Sequence, residues 1–309
     1  MALRDIKSKI KSVDRTRKVT RAMEMVSAVK MRKSQIRAIS GRPYAVSALS
    51  ILERLGASLS AMKHPFTRVS PVSTAALIVI TSDKGLCGVL NSAVLKEATR
   101  RVAALSLPTD AISVYAFGRK GAEFFERRGY RIVEKFENVS DEISLSDLAR
   151  VTKEITEAFS KKEYDRVDII YTNFRSTFEQ SAISGTVLPL SLHDIEKIVA
   201  GIIPEKGKFS PNVGLTMSHK VPASYTVEPS PEEVLAFVLP RLVSTLFYHA
   251  LLESKASEHS ARMVAMKNAS DKSRDRSKLL TRKYNKARQA IITREVSEIV
   301  GGIEAMAVN

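Results

Sequence analysis

Near the start of the chain, apolar residues recur at steps of three and four: Ile6, Ile10 and Val13, then Val19, Met23 and Val26. That period is the apolar stripe of an amphipathic helix. No Gly or Pro interrupts it from Ala2 to Ser40, which predicts a helix about 60 Å long. Gly41 and Pro43 break it, and helical spacing resumes over 44–59. The far end repeats the theme at greater length. Arg241 to Val300 holds neither Gly nor Pro, enough for a helix of about 90 Å. A heptad fits this segment. One seam position reads Leu242, His249, Ala256, Met263, Ser270, Ser277, Tyr284, Ile291; the other reads Thr245, Leu252, His259, Met266, Ser273, Leu280, Ala287. Ser270, Ser273 and Ser277 bury little apolar area, so such a helix needs a partner helix and an enclosing sleeve. The two terminal helices are expected to wind round each other antiparallel.

The middle of the chain has a different rhythm. Short apolar runs over 75–81, 111–117, 130–136, 167–173 and 180–188 predict strands. Helical segments over 88–104, 119–128 and 145–161 alternate with them. Alternation of this kind predicts an α/β fold with an open, mostly parallel, Rossmann-like sheet. Residues 195–227, with scattered Gly, Pro and Lys, read as a loop or weak hairpin. Glu228-Pro229-Ser230-Pro231-Glu232-Glu233 reads as a helix start, with Ser230 as cap, Pro231 at the first helical position and acidic residues in the first turn. The expected organisation is a shaft helix in 1–60, an α/β domain in 72–228 and a second shaft helix in 230–305 that pairs with the first.

Charge sharpens this division. The chain has 49 basic and 33 acidic residues, a formal net charge of +16. Residues 1–40 hold 12 basic and 3 acidic side chains, and residues 241–294 hold 13 and 4. The basic character therefore belongs to the helices and the middle is close to neutral. No apolar run is longer than the six residues of Ala75 to Ile80, far short of the roughly 20 residues that a membrane span needs. The basic start lacks the apolar core of a signal peptide. Cys87 is the one cysteine, so no internal disulfide framework is possible, and a reducing compartment fits.

Candidate chemistry is sparse. Thr81-Ser82-Asp83-Lys84-Gly85-Leu86-Cys87-Gly88 follows the first strand and opens a helix, where an α/β sheet holds phosphate. Its glycines match neither a P-loop nor G-x-G-x-x-G, so a tight structural turn is the favoured reading. Cys87 reads as a packed thiol rather than a nucleophile. His249 and His259 lie ten apart, not at the spacing of a helical metal pair, and no Cys/His cluster appears. The acidic residues of the middle form no recognisable catalytic pair. No catalytic residue, cofactor or metal is called for. A basic coiled-coil adaptor binding nucleic acid or another acidic partner is the alternative function, although no aromatics are interleaved with the basic residues to stack on bases.

Several blocks carry a family resemblance. Ile6-Lys7-Ser8-Lys9-Ile10-Lys11-Ser12-Val13 with Thr20-Arg21-Ala22-Met23-Glu24-Met25-Val26 resembles the N-terminal signature of ATP synthase γ subunits. The Asp83–Gly88 turn matches that family's turn. Glu258 to Ala269, Tyr284 to Thr293 and Glu298 to Gly302 resemble its C-terminal helix. The order of these blocks along the chain makes the match specific.

The resemblance implies a non-catalytic central-stalk rotor. Its helix pair would turn inside a hexamer of α and β subunits, and its α/β domain would meet the ε (δ-like) subunit and the c-ring. One copy would serve each complex, peripheral to the cytoplasmic face of the bacterial inner membrane, with no nucleic acid bound. Arg288 and Gln289 match the family pair that hydrogen-bonds a β loop, and Thr293 lies one turn further on. Met23 falls where the family's helix passes an acidic stretch of β, flanked by Lys18, Arg21, Lys30, Arg32 and Lys33 as a complementary field. Glu228 is expected on the c-ring and ε side. The chain departs from the family pattern in two places. Asp271 to Ser277 is unusually charged, and Val227 stands before Glu228 where an aromatic is common. No cysteine pair resembles the redox switch of chloroplast forms.

Overall fold

A computed structural model describes residues 3–40, 65–141, 145–190 and 230–307. The 44–59 and 195–227 segments and Glu228 lie outside them. The described helices and strands run α1 (Leu3–Ser40), β1 (Ala75–Ile80), α2 (Leu90–Leu105), β2 (Ile112–Phe117), α3 (Arg119–Glu126), β3 (Arg131–Phe136), α4 (Leu145–Ser160), β4 (Arg166–Phe174), β5 (Gln180–Leu188) and α5 (Pro231–Ala307). Each strand of the middle falls where the apolar runs put it. The helix expected from residue 88 begins at Leu90, because Gly88 is still in the turn with φ +61°.

The five strands form one sheet in the order β3-β2-β1-β4-β5. β1, β2, β3 and β4 are parallel neighbours, and β5 returns antiparallel along β4. β1 and β2 are buried at every position, as continuous apolar runs in a parallel sheet require. β3, at the edge, alternates exposed and half-buried positions. One sheet face packs Leu77, Val79, Val114 and Ile170 against Val94 and Ala98 of α2 and Phe125 of α3. The other packs Ile78, Ile80 and Phe117 against Leu148, Val151 and Ile155 of α4 and against Leu242, Val243, Leu246 and Phe247 of α5. Phe117 stacks on Phe136 at 4.2 Å and meets the edge of Phe247 at 4.9 Å. The long C-terminal helix is thus a structural layer of the sheet domain before it is anything else.

The cap of α5 forms as its sequence predicts. Ser230 Oγ accepts the backbone N–H of Glu233 at 3.2 Å, satisfying a donor of the first turn, and donates to the Glu233 carboxylate at 3.4 Å. The helix then continues through Pro240, Gly301 and Gly302.

The chain divides into two compact units. One comprises 28–262 and holds the sheet. The other comprises 1–27 with 263–309. In that second unit the start of α1 is grouped with the end of α5, so the two helices run antiparallel. The α5 heptad holds as far as Ala287: Met266, Ser270 and Leu280 are buried, and Met263, Ser273, Ser277, Tyr284 and Ala287 are half-buried, whereas Ile291, also expected in the seam, is exposed because the seam has ended. From Ile291 to Ile303 every residue is exposed.

The stripe of α1 needs a correction. Ile6, Ile10 and Val13 face inward, but the inward row continues through Thr20, Ser27 and Ser34 in strict steps of seven. Val19, Met23 and Val26, expected to line the stripe, are exposed; Val19 is 58% and Val26 57% accessible. Helical neighbours are rotated about 100°, so Val19 and Thr20 cannot share a face. The inward seam takes small side chains that let helix backbones approach, and the larger apolar residues are turned out.

Candidate functional site

In a doubly wound sheet, ligands bind outside the carboxyl ends of the strands where the strand order reverses. Here that point lies between β1 and β4, because β2 and β3 extend to one side of β1 and β4 to the other. The Thr81–Gly88 turn sits at this place. Its groups are satisfied internally. Thr81 N–H donates to Phe117 O at 2.7 Å, and Ser82 N–H to Asn91 Oδ1 at 3.0 Å. Asp83 Oδ1 accepts the N–H of Arg119, and its Oδ2 the N–H of Asn138, each at 3.0 Å. Cys87 is buried, with Asn91 Nδ2 donating to its sulfur at 3.4 Å. A Cβ on Gly118 would lie 2.2 Å from Thr81 O, so this strand end closes only around a glycine, held at φ +95°.

The crevice itself is filled by α5. The last pairing of β1 with β4 is Val79 with Ile170. Beyond it the β4 backbone has no strand on its β1 side, and α5 supplies hydroxyls instead. Ser254 Oγ accepts the N–H of Thr172 at 3.1 Å, and Ser257 Oγ donates to its carbonyl at 3.4 Å. Ser260 Oγ donates to Thr177 O at 2.7 Å. Asn173 Nδ2 donates to buried Glu253 at 2.9 Å. The Arg262 guanidinium donates to the carbonyls of Lys84 and Gly85 at 3.2 and 3.4 Å while paired with Glu258 at 2.7 Å. The place that would take a phosphate is therefore occupied by the chain's own helix, and the carbonyls of the turn point at a cation. This accounts for the turn as a structural one.

Beside this grip, the stretch after β3 meets both long helices. Lys255 Nζ donates to Val139 O at 2.9 Å. Asp141 Oδ1 bonds His259 Nε2 at 2.8 Å, and its Oδ2 accepts Lys30 Nζ at 2.7 Å. The Arg37 guanidinium donates to the Asp141 carbonyl. His259 foremost, and then Lys30, hold the Asp141 carboxyl well below the usual aspartate range against the opposing effect of burial.

Of the residues singled out from sequence, Lys18, Arg32 and Lys33 are exposed on α1. Arg21 is exposed and paired with Glu24 at 2.6 Å, and Met23 stands outward beside them. Lys30 spends its charge on Asp141. Arg288, Gln289 and Thr293 are all exposed on α5. Asp141 and the serines at 254, 257 and 260 were not singled out. The serines carried a legible signal, three hydroxyls at steps of three along one helix. Asp141 carried none. Among the described residues no helix is long and apolar enough to cross a membrane.

Known proteins resemble the chain along its whole length. A family model described as ATP synthase matches residues 2–306. The ATP synthase gamma chain of Heliobacterium modesticaldum is 36% identical over 304 residues, covering 98% of this chain and 99% of that protein. The gamma chain of Methylobacillus flagellatus is 39% identical with the same coverage. Among solved structures, a chain of the Tetrahymena thermophila mitochondrial ATP synthase central stalk and c-ring superposes with a TM-score of 0.58 at 25% identity, covering 82% of this chain and 99% of that one. A chain of the Euglena gracilis mitochondrial ATP synthase rotor shares the fold, with a TM-score of 0.60 at 18% identity, covering 94% and 98%.

Proposed function

The chain belongs to the ATP synthase gamma family, and on that premise we propose how its surfaces serve a rotor. It is the non-catalytic central-stalk subunit of an F-type ATP synthase, part of a membrane-associated complex. It couples ion flow through the membrane sector to ATP synthesis on β subunits. The observation that carries the reading of its surfaces is the outward face of the two helices. On α1 the exposed apolar row Val19, Met23, Val26 and Val29 runs beside basic Lys18, Arg21, Arg32 and Lys33. An exposed apolar row of that length marks a surface another chain covers, and its basic border fits an acidic one.

In this reading a hexamer of α and β subunits surrounds the helices, with Met23 passing β without an ion pair. Arg288 makes charge-assisted bonds to a β carboxylate, and Gln289 and Thr293 extend that contact. Lys30, drawn into the same field by the resemblance, spends its ammonium on Asp141 instead. The sheet domain, within 72–228 and flanked by shaft segments in 1–60 and 230–305, faces ε and the c-ring, with Glu228 on that side. One copy serves each complex, on the cytoplasmic face of the inner membrane.

Reconstitution tests this. The isolated chain is expected to hydrolyse no ATP and to restore steady turnover to a hexamer of α and β. A chain that does not co-purify with α and β from native membranes sinks the reading.

A further inference from the structure

We propose that Asp141 is the positioning residue through which the sheet domain turns α1 together with α5. The proposal rests on the rotor reading and adds to it a specific path for force.

The two helices are attached to the sheet domain very differently. α5 contributes Leu239, Leu242, Val243, Leu246 and Phe247 to an apolar core and adds the polar bonds from Glu253 to Arg262. Among the described residues, neither apolar cluster of the sheet domain contains an α1 side chain. α1 reaches this domain at Asp141, through the Lys30 ammonium and the Arg37 guanidinium. The same carboxylate holds α5 through its other oxygen. The His259 ring is buried, and its Nδ1 has no partner among the described residues. That leaves Nε2 as the donor, aimed at Asp141 Oδ1. One side chain thus takes one helix on each oxygen.

The node is itself braced. Asn138 stands in the left-handed region at φ +54°, and its N–H is fixed on Asp83 of the Thr81–Gly88 turn. Asp83 also takes the N–H of Arg119, and Val139 O takes Lys255. The turn that would cradle a phosphate instead buttresses the stretch carrying Asp141. Force entering the sheet domain passes to α5 through packed apolar surface. The seam between the helices, with Thr20, Ser27 and Ser34 inward on α1, buries little apolar area. A charge-assisted bridge compensates by tying α1 directly to the domain.

The test uses the whole complex in inverted membrane vesicles, comparing ATP synthesis driven by an imposed ion gradient with hydrolysis by the detached hexamer and rotor. Asp141→Asn is expected to lower synthesis about fivefold, the loss equivalent to one charge-assisted bond, with hydrolysis changed less than about twofold. Lys30→Met, at a half-exposed position that tolerates change, is expected to do the same. The double variant is expected to be no worse than Asp141→Asn alone, because the charge-assisted Lys30 bond is already lost there. Asp141→Glu is expected to recover part of the loss. Full synthesis in assembled Asp141→Asn and Lys30→Met complexes overturns the proposal, and so does a parallel loss of synthesis and hydrolysis, which marks a merely structural role. If Asp141→Asn does not assemble, Lys30→Met decides by the same criteria. A wild-type chain that restores no turnover to the hexamer strikes the rotor reading instead, so the two failures are distinct.

Discussion

Asp168 has no exposed surface and lies among two guanidinium groups and a hydroxyl. Arg101 donates to its two oxygens at 2.7 and 2.9 Å, Arg166 donates at 3.0 Å, and both arginines also reach Thr186. Its negative charge offsets two partly buried positive ones. Asp168→Ala removes the carboxylate they share, and the denaturant midpoint of the full chain is expected to fall by the equivalent of about 3–5 kcal/mol. Asp141 permits a pH test. Its folded pKa is depressed below the ordinary 3.8. Its contribution to stability is therefore fully present above that ordinary value and is lost as pH falls through the depressed one. The difference in thermal midpoint between wild type and Asp141→Asn is expected to shrink as pH falls below about 4. A difference that grows as pH falls below about 4 contradicts the assigned ion pairs.

At the scale of elements, α5 is two helices in one. Its first part is a core layer, with Phe247 1% exposed and edge-on to Phe117. Its later part is a seam in which Met266, Ser270 and Leu280 are buried, followed by an exposed end. Phe247→Ala opens a cavity in the sheet domain and is expected to cost about 3–5 kcal/mol. Amide exchange should quicken along 239–262 much more than along 263–287. Equal acceleration along the helix contradicts this division. The heptad of α5 was legible because its period is sustained over many turns. The inward face of α1 was not, since Val19, Met23 and Val26 match the helical period as well as Thr20, Ser27 and Ser34 do. Hydropathy favours the wrong set wherever a seam selects for size instead of apolarity.

At the scale of the whole molecule, Arg288, Gln289 and Thr293 are exposed where α5 gives no seam beyond Ala287, and in the proposed reading a β subunit covers them. Arg288→Ala is expected to leave the circular dichroism of the free chain unchanged. It should lower ATP synthesis in membranes by about tenfold, as loss of a desolvated charge-assisted pair would. Synthesis at the wild-type rate removes Arg288 from the coupling contact.

What the sequence determined by itself was local and periodic. The alternating strands and helices, the Ser230 cap, the heptad of α5 and the basic ends all follow from spacing and side-chain type, as does the resemblance carried by blocks such as Tyr284 to Thr293. Tertiary structure decided what depends on residues far apart in the chain. It turned the apolar row of α1 outward. It filled the crevice beside the Thr81–Gly88 turn with serines 82 to 85 residues distant from Thr172 and Thr177. It also set Asp141 between Lys30 and His259, 111 and 118 residues away. The physical reason is the same in each case. A period shows which residues share a face, but only the opposing surface decides whether that face takes an apolar side chain, a hydroxyl or a charge.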